Sequence, residues 1–122
     1  MENLKVDRVK LGQSGEEAAV RYLKKKGFRI VERGFRLLRG EIDIIAYDRD
    51  TLVFVEVKTR SGTGFGVPEE AVTPSKQEQI RKIAQLYLMK KRLGDIPCRF
   101  DVVSILDDEP GEPIIRHIPD AF

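Results

Sequence analysis

Two consecutive runs rich in β-branched residues, separated by a short polar stretch, constrain the fold of this chain more than any other feature of its sequence. "EIDIIAY" begins at Glu41, "LVFVEVKTR" begins at Leu52, and the stretch between them contains Asp48, Arg49 and Asp50. Val- and Ile-rich runs on either side of a short polar turn are typical of a hairpin. The pattern therefore predicts two antiparallel strands.

These two strands carry charged residues that a protein core does not ordinarily hold. Side chains alternate between the faces of a strand, so Glu56 and Lys58 share one face while the neighbouring valines share the other. By the same rule Glu41 and Asp43 lie together, opposite the isoleucines that follow each of them, and the hairpin brings Asp43 toward Glu56. Two carboxylates are therefore expected to converge near a lysine.

A pair of carboxylates away from water points to a bound cation, because unpaired negative charges are costly to bury unless one of them is protonated. Magnesium prefers oxygen ligands and is commonly held by one or two carboxylates together with substrate phosphate. Asp43 and Glu56 are therefore candidate metal ligands. Lys58 is expected beside them, where it can activate a water and offset charge on a phosphodiester during hydrolysis. With His117 as the single histidine, a zinc site is not expected, and His117 is interpreted as structural or exposed.

Each of these residues also has a simpler interpretation. Glu56 and Lys58, two apart on a strand, can form an exposed surface pair that contributes under about 1 kcal/mol. Glu41 can equally serve to hold the preceding arginines. The spacing of Asp43 to Glu56 and Lys58 across one hairpin is the more specific signal.

Capping signals predict two helices. Apolar residues recur at helical spacing over residues 14–26, Ser14 and Glu17 match a capping box, and Gly27 follows where a helix would end. The second helix is expected after the Gly- and Pro-rich stretch "SGTGFGVPEEAVTP", interpreted as a mobile loop, and is expected to end at about Leu93 before Gly94. Its start is marked by Thr73 with Pro74 and by Ser75 with Glu78.

Three further segments predict strands. "FRIVERGFRLL" indicates a strand that bends or bulges near Gly34, and "CRFDVVSIL" and "PIIRHI" predict two strands around a turn at Pro110 and Gly111. The resulting order, α-β-β-β-α-β-β, indicates an α/β or α+β fold. At 122 residues the chain is expected to form one domain, residues 1–122.

Composition narrows the class of protein. A chain that is 41% hydrophobic and 34% charged is too apolar to be disordered, and it contains no apolar run long enough to span a membrane. The amino terminus lacks the apolar stretch of a secretory signal, and the single cysteine, Cys98, cannot form an internal disulfide. A cytoplasmic protein is therefore expected, with Cys98 as a small buried residue.

Positive charge is concentrated around the hairpin. The net charge is only +2, from 22 basic and 20 acidic residues. A basic rim around an acidic centre suits a metal-dependent enzyme that acts on a polyanion, although solvated strand ends produce the same pattern. The residues of this rim are Arg33, Arg36, Arg39, Lys58 and Arg60.

The Asp-x12-Glu-x-Lys arrangement of Asp43, Glu56 and Lys58 resembles the active-site signature of the PD-(D/E)xK nuclease superfamily. Within it, the chain closely resembles the YraN-type family of small bacterial proteins and is similar in layout to archaeal Holliday-junction resolvases. The resemblance implies a restriction-endonuclease-like fold, in which a mixed β-sheet is flanked by helices. The matching stretches, between Gly15 and Ile105, are "GEEAAVRYLKKKGFRIVERGFR", "GEIDIIAYD", "LVFVEVKTR", "FGVPEEAVTPSK" and "CRFDVVSI".

The resemblance also implies roles for individual residues. It implies metal ligands at Asp43 and Glu56, a catalytic lysine at Lys58, and an additional acidic residue at Glu16 of the first helix. Ile42 replaces the proline of the signature, at a position that varies in the superfamily.

The leading hypothesis is a Mg²⁺- or Mn²⁺-dependent nuclease that hydrolyses branched, flapped or single-stranded DNA in repair or recombination. Arg36, Arg39 and Arg60 are expected to hold the nucleic-acid backbone. Lys76 is expected either to contact phosphate at a helix N-terminus or to be a solvated first-turn lysine. The alternatives are a nucleic-acid- or protein-binding module that does not cleave and a purely structural interaction protein. The similarity to resolvases makes a homodimer plausible.

Overall fold

The computed structural model describes residues 4–61, 72–107 and 111–122, with the side chains of the first helix described from Gly15 onward. These ranges contain two helices and five strands in the order α-β-β-β-α-β-β, as the sequence predicts. The elements are α1 (Leu4–Lys25), β1 (Arg29–Leu37), β2 (Gly40–Asp48), β3 (Thr51–Ser61), α2 (Pro74–Lys90), β4 (Cys98–Asp107) and β5 (Ile114–Ile118).

The five strands form one mixed sheet in the order β1-β2-β3-β4-β5. Strands β1, β2 and β3 pair antiparallel, and the β2–β3 register runs from Ile44 opposite Val55 to Asp48 opposite Thr51. The predicted hairpin is therefore confirmed. Strands β3 and β4 are parallel, with α2 in the connection between them, and β5 is antiparallel to β4. Strand β3 thus lies at the centre of the sheet.

One helix covers each face of the sheet. Ala19 and Leu23 of α1 are buried in one apolar cluster, and Ile83 and Tyr87 of α2 are buried in the other. Full burial of a large apolar side chain such as Leu23 or Ile83 contributes about 1.5–3 kcal/mol, so both helices are held mainly by these contacts. Of the helices in the described ranges, neither is long and apolar enough to cross a membrane.

Strict alternation along β3 divides its side chains between the two faces. Val53 and Val55 pack in the cluster on the α1 side, whereas Leu52 and Phe54 pack in the cluster on the α2 side. The parallel ladder with β4 continues in register to the end of β3. Glu56, the next residue in the even-numbered series, therefore belongs to the α2 face.

Helix α1 is longer than the sequence predicts. It begins at Leu4, so Ser14 lies inside the helix and the expected capping box does not mark its start. Good helix formers such as Leu, Lys and Arg are frequent before Ser14, which allows the helix to extend upstream. Glu17, the expected partner of Ser14, instead pairs with Arg33 of β1 at 2.9 Å.

The end of α1 is predicted correctly. Gly27 has a φ of +95°, and the N–H of Phe28 donates to the carbonyl of Leu23 at 2.9 Å. This bond and the left-handed residue before it form a Schellman cap, in which glycine is favoured because it lacks a Cβ.

Helix α2 is capped by Thr73, whose hydroxyl accepts the N–H of Lys76 at 3.2 Å. The start marked by Thr73 is confirmed, while the capping box proposed for Ser75 and Glu78 is wrong, because both residues lie inside the helix. Serine at the second helical position cannot cap a helix that threonine has already started. The helix ends at Lys90.

Strand β1 is irregular, as predicted. Its register with β2 shifts between Ile30 and Glu32, and Gly34 has a φ of +61°. Most of the expected mobile loop lies outside the described residues, as does Pro110 of the expected turn before β5.

The expected burial of Cys98 is wrong. Cys98 is exposed because it is the first residue of β4, at the edge of the sheet layer. Its thiol lies 3.5 Å from the carbonyl oxygen of Ile96.

Candidate metal-binding active site

Asp43 lies where β2 and β3 separate. The last pair of their ladder at this end is Ile44 with Val55. Ile42 packs in the cluster on the α2 side and Ile44 in that on the α1 side, so the expectation that both share one face is wrong. The alternation of side chains between the two faces is therefore interrupted at Asp43. The Asp43 Oδ2 accepts a hydrogen bond from the N–H of Val57 at 2.8 Å. This side chain thus gives Val57 a partner at the point where the backbone of β2 no longer pairs with β3.

Glu56 is a buried acid beside Asp43. It is only 6% exposed, and its Oε2 has no hydrogen-bond partner among the described residues. The Nζ of Lys76 lies 3.8 Å from this oxygen, which is an ion-pair distance but too long for a hydrogen bond. The burial of Glu56 contradicts the alternative in which it forms an exposed surface pair with Lys58. A buried carboxylate oxygen that lacks a hydrogen bond is poorly compensated and open to a cation.

The carboxyl group of Asp43 is perturbed by its burial and by its neighbours. Burial, followed by the hydrogen bond and negative charge of Glu56, raises the pKa of Asp43 to about 7. The N–H of Val57 and the ammonium of Lys76 oppose this rise. The predicted convergence of Asp43 and Glu56 is therefore present, and the nearby Glu56 carboxylate disfavours ionisation of Asp43.

Lys58 follows Glu56 by two residues on β3. It is half-buried and lies opposite Ser104 in the regular ladder with β4, so alternation places it on the same face as Glu56. Within the described ranges Lys58 makes no ion pair. The lysine is thus beside the acidic pair, as the sequence predicts, and its charge is not used by another side chain in this part of the chain.

Glu16 approaches the site from the opposite face of the sheet. A Cβ on Gly15 would collide with Oγ1 of Thr59, so glycine allows α1 to lie directly on β3 and carries Glu16 with it. Burial raises the pKa of Glu16, the charge of Asp43 raises it further, and Arg33 at 3.7 Å lowers it. Glu16 is therefore near enough to Asp43 for their charges to interact, and its role as an additional acidic residue of the site stays a prediction.

Glu41 has the role that the simpler interpretation assigns to it. Its Oε2 lies 3.8 Å from the Nε of Arg36, and Glu41 also raises the pKa of the more buried Glu16, behind the effects of burial and Asp43. Glu41 therefore holds one of the preceding arginines at the margin of the acidic pair.

The arginines of the basic rim occupy different positions. The side chain of Arg36 is 82% exposed, and Arg33 is tied to α1 through Glu16 and Glu17. Arg39 is exposed in the β1–β2 turn with a φ of 58° and makes no ion pair within the described ranges. Arg60 is half-buried near the end of β3. The structure therefore places Arg36 and Arg39 at the surface rather than against the acidic pair.

The β1–β2 turn lies against the first half of α2, at Gln79 and Ile83. A Cβ on Gly40 would come within 2.8 Å of Cδ1 of Ile83 and within 2.9 Å of the Gln79 side chain. The Gln79 amide also approaches the carbonyl of Leu38 at 3.4 Å. This close approach sets Arg39 and the first turn of α2, which carries Lys76, on one side of the molecule.

Lys76 makes a contact that neither of its two interpretations includes. The lysine lies in the first turn of α2, and its ammonium reaches across to Glu56 of β3. Phosphate binding by Lys76 stays a prediction.

The acidic pair fits an oxygen-liganded divalent cation with few protein ligands. Among the described residues, no group of three or more His, Cys, Asp or Glu side chains is arranged to hold a metal. Asp43 and Glu56 supply two carboxylates, and a buried oxygen of Glu56 has no hydrogen-bond partner in the part of the chain that the structure describes. Magnesium commonly uses one or two carboxylates and keeps several waters, so this pair suits magnesium or manganese and does not suit zinc.

A second polar network, which the sequence analysis missed, lies under the α1 face. The Oδ2 of Asp101 is 2.7 Å from the Nε2 of His117, and the guanidinium of Arg99 bridges Asp101 at 2.8 Å and Asp48 at 3.0 Å. The backbone N–H of Asp120 also donates to Asp101 at 3.0 Å. These bonds tie together β2, β4, β5 and the segment after β5. The structural role expected for His117 is confirmed, since its side chain is 3% exposed.

The electrostatics of Asp101 differ from those of Asp43. Burial alone would raise the pKa of Asp101, but hydrogen bonds from His117, Arg99 and the Asp120 N–H hold it at about 2. A charged residue inside the β-branched run "CRFDVVSI" was the available signal, and it is the same type of signal that identified Asp43. Asp101 is fully compensated by its partners, whereas Glu56 is not.

Comparison with known proteins identifies the family. The sequence model of the family described as "Uncharacterised protein family UPF0102" matches residues 15–105. A UPF0102 protein of Geotalea daltonii is 55% identical over 118 residues, which cover 97% of this chain and 93% of the relative. Those of Geobacter sulfurreducens and Symbiobacterium thermophilum are 51% and 46% identical, covering 92% and 93% of this chain and 88% and 96% of the relatives. The chain therefore belongs to the UPF0102 family, the family of the YraN-type proteins.

Proposed function

We propose that this UPF0102 protein is a Mg²⁺- or Mn²⁺-dependent endonuclease of the PD-(D/E)xK type that hydrolyses phosphodiester bonds in branched, flapped or single-stranded DNA. The proposal includes a role in DNA repair or recombination in the cytoplasm. The resemblance of Asp43, Glu56 and Lys58 to the active-site signature supports it, together with their placement at the end of one hairpin.

The observation that carries the proposal is the buried, incompletely hydrogen-bonded carboxylate of Glu56 beside Asp43. Two adjacent acids with this burial destabilise the fold unless a cation or a proton compensates them. Such an arrangement is retained more readily for binding a cation than for stability alone. Glu16, on the opposite face, adds a third acid whose pKa is raised in the same direction.

In the proposed reaction Asp43 and Glu56 hold the metal ion. A bound divalent ion supplies Lewis acidity at a phosphate oxygen and lowers the pKa of water. Lys58 would orient the attacking water and offset negative charge as the bond from the water oxygen to phosphorus forms and the bond to the leaving oxygen breaks. The attacking water gives up a proton to solvent, and the leaving oxygen takes one up from solvent. Glu16, close to Asp43, completes the acidic site and positions water on the α1 side.

The proposed DNA contacts come from cations around this site. Arg36 and Arg39 are exposed on the β1–β2 side, and Arg60 follows Lys58 along β3. Contacts of this kind fix the position of a backbone without reading its sequence, which suits a nuclease that recognises DNA shape. A homodimer is part of the proposal because a branched DNA with two equivalent strands favours a two-fold symmetric protein. Light scattering of the purified protein, alone and with a four-way junction, measures that assembly.

The test is a cleavage assay on a panel of single-stranded, flapped and branched DNA, with matched RNA substrates, in Mg²⁺, Mn²⁺ and EDTA. We expect metal-dependent cleavage that is lost in Lys58→Ala and retained in Lys24→Ala. Lys24 is an exposed lysine near the end of α1 and serves as a control for the loss of one positive charge. Cleavage that persists in Lys58→Ala contradicts the assigned role. If the wild type binds these substrates and leaves all of them intact, a nucleic-acid-binding module becomes the better account.

A further inference from the structure

Lys76 is held at the acidic pair by the geometry of α2. The Thr73 cap fixes the first turn of the helix, and the Lys76 backbone N–H is one of the groups that this cap satisfies. From this turn the lysine side chain reaches Glu56 on β3, so it connects the helix to the centre of the sheet.

The contact between Lys76 and Glu56 offsets the negative charge of the Glu56 carboxylate but does not give its Oε2 a hydrogen bond. The separation of 3.8 Å between Nζ and Oε2 allows Coulomb attraction, yet Oε2 has no hydrogen-bond partner among the described residues. The side chain of Glu56 is 7% exposed and that of Lys76 is 40% exposed. The ammonium can therefore move into solvent, while the carboxylate cannot.

The cation on the other face is held differently. Arg33 is shared between Glu16 at 3.7 Å and Glu17 at 2.9 Å, so it has a second and closer acidic partner besides Glu16. Lys76 pairs with no acid other than Glu56 within the described ranges. Within the described ranges, Lys76 can therefore leave Glu56 without breaking any other ion pair, whereas Arg33 is also held by Glu17.

We infer that Lys76 is a built-in counter-ion of Glu56 that competes with the divalent cation for the same carboxylate oxygen and is displaced when that cation binds. The inference rests on the metal site of the proposed function and adds an exchange of cations to it. In the absence of metal, Lys76 compensates the buried charge. When the metal takes its place, the released ammonium is free to contact a phosphate oxygen of the substrate.

This exchange has a measurable cost. When a ligand must first displace a bound group, its apparent affinity equals the intrinsic affinity multiplied by the fraction of protein molecules in which that group is absent. Lys76 therefore weakens metal binding, and the direction of this effect is opposite to that expected of a residue that supports the metal site. A lysine that serves only to cap or solubilise α2 would leave metal affinity unchanged.

The experiment is calorimetric titration of Mn²⁺ into the metal-free, full-length protein at low ionic strength, without DNA. Lys76→Met is compared with the wild type, with Lys76→Arg, which keeps the charge, and with Lys82→Met. Lys82 is an exposed lysine of the same helix that pairs with Glu78, and it is the matched control. We expect Lys76→Met to bind Mn²⁺ at least about fivefold more tightly, and Lys76→Arg and Lys82→Met to bind like the wild type.

The outcomes separate this inference from the proposed function. Equal Mn²⁺ affinity in the wild type and Lys76→Met, or weaker binding in Lys76→Met, overturns the inference and leaves the metal site intact. Binding by Lys76→Met alone supports the inference and contradicts a working metal site in the natural sequence. Absence of binding in both proteins overturns the inference and the proposed metal dependence together. Circular dichroism of each variant verifies that it is folded before titration.

Discussion

Replacing Asp43 by asparagine tests the acidic pair through the stability of the metal-free protein. Burial, followed by the hydrogen bond and charge of Glu56, raises the pKa of Asp43 from 3.8 to about 7. Between these two values the folded protein keeps a proton on Asp43 that the unfolded chain has released. Because the folded state binds more protons, the free energy of unfolding falls as the pH rises through this range.

The two pKa values set the magnitude. A rise from 3.8 to about 7 corresponds to at most about 4 kcal/mol, of which about 2.5 kcal/mol is lost between about pH 5 and about pH 8. Asparagine cannot ionise, keeps an oxygen for the N–H of Val57, and offers an amide to Glu56. We therefore expect Asp43→Asn to remove most of this pH dependence and to be more stable than the wild type by about 2 kcal/mol at about pH 8.

The assay is urea denaturation in EDTA at both pH values, because urea leaves the ionic strength unchanged. Asp50→Asn, in the exposed β2–β3 turn, is the control and should stay within about 0.5 kcal/mol of the wild type. Replacing EDTA with millimolar Mn²⁺ should stabilise the wild type and leave the stability of Asp43→Asn unchanged, since only the intact acidic pair binds the ion. The reasoning is refuted if Asp43→Asn gains no stability at about pH 8, or if the wild type is equally stable at both pH values.

Three further substitutions test how the elements around the site are held. Gly15→Ala should destabilise the protein by about 1–3 kcal/mol in thermal unfolding because its Cβ collides with Thr59, and Thr59→Ala should restore part of the loss. Asp101→Asn should cost about 3 kcal/mol in urea denaturation, since it removes the buried carboxylate that Arg99 and His117 share and leaves Arg99 with Asp48 as its remaining charged partner. The stability that Asp101 contributes should persist above about pH 4 and be lost as the pH falls toward about 2, the opposite sign to Asp43. Thr73→Ala should cost about 1 kcal/mol by removing the α2 cap, and an unchanged unfolding midpoint would contradict that cap.

Local signals predicted most of the fold. The β2–β3 hairpin follows from two β-branched runs and a short polar turn, and the end of α1 follows from a glycine that can adopt positive φ. The early start of α1 cannot be read from Ser14 and Glu17, because residue pairs that match a capping box also occur inside helices. Thr73 and Ser75 posed the same ambiguity for α2, and only one of them caps the helix.

The sequence indicates which residues meet at the site, but it predicts their arrangement only in part. The convergence of Asp43 and Glu56 follows from hairpin register, but Ile42 and Ile44 pack on different faces, so the period of two on which the face assignment depends does not hold there. The contact of Lys76 with Glu56 joins residues from a helix and a strand across a long connection, and no local pattern encodes it. The Asp101 network was missed for the same reason, since its members come from three strands.

The central claim is that Asp43 and Glu56 together hold one divalent cation. Diffraction from crystals soaked in Mn²⁺, measured at a wavelength where manganese scatters anomalously, tests it most directly. The account predicts one anomalous peak bridging an oxygen of Asp43 and the Oε2 of Glu56, with Lys76 moved away from that oxygen. A fully occupied peak elsewhere on the protein, with Lys76 still paired to Glu56, would contradict it.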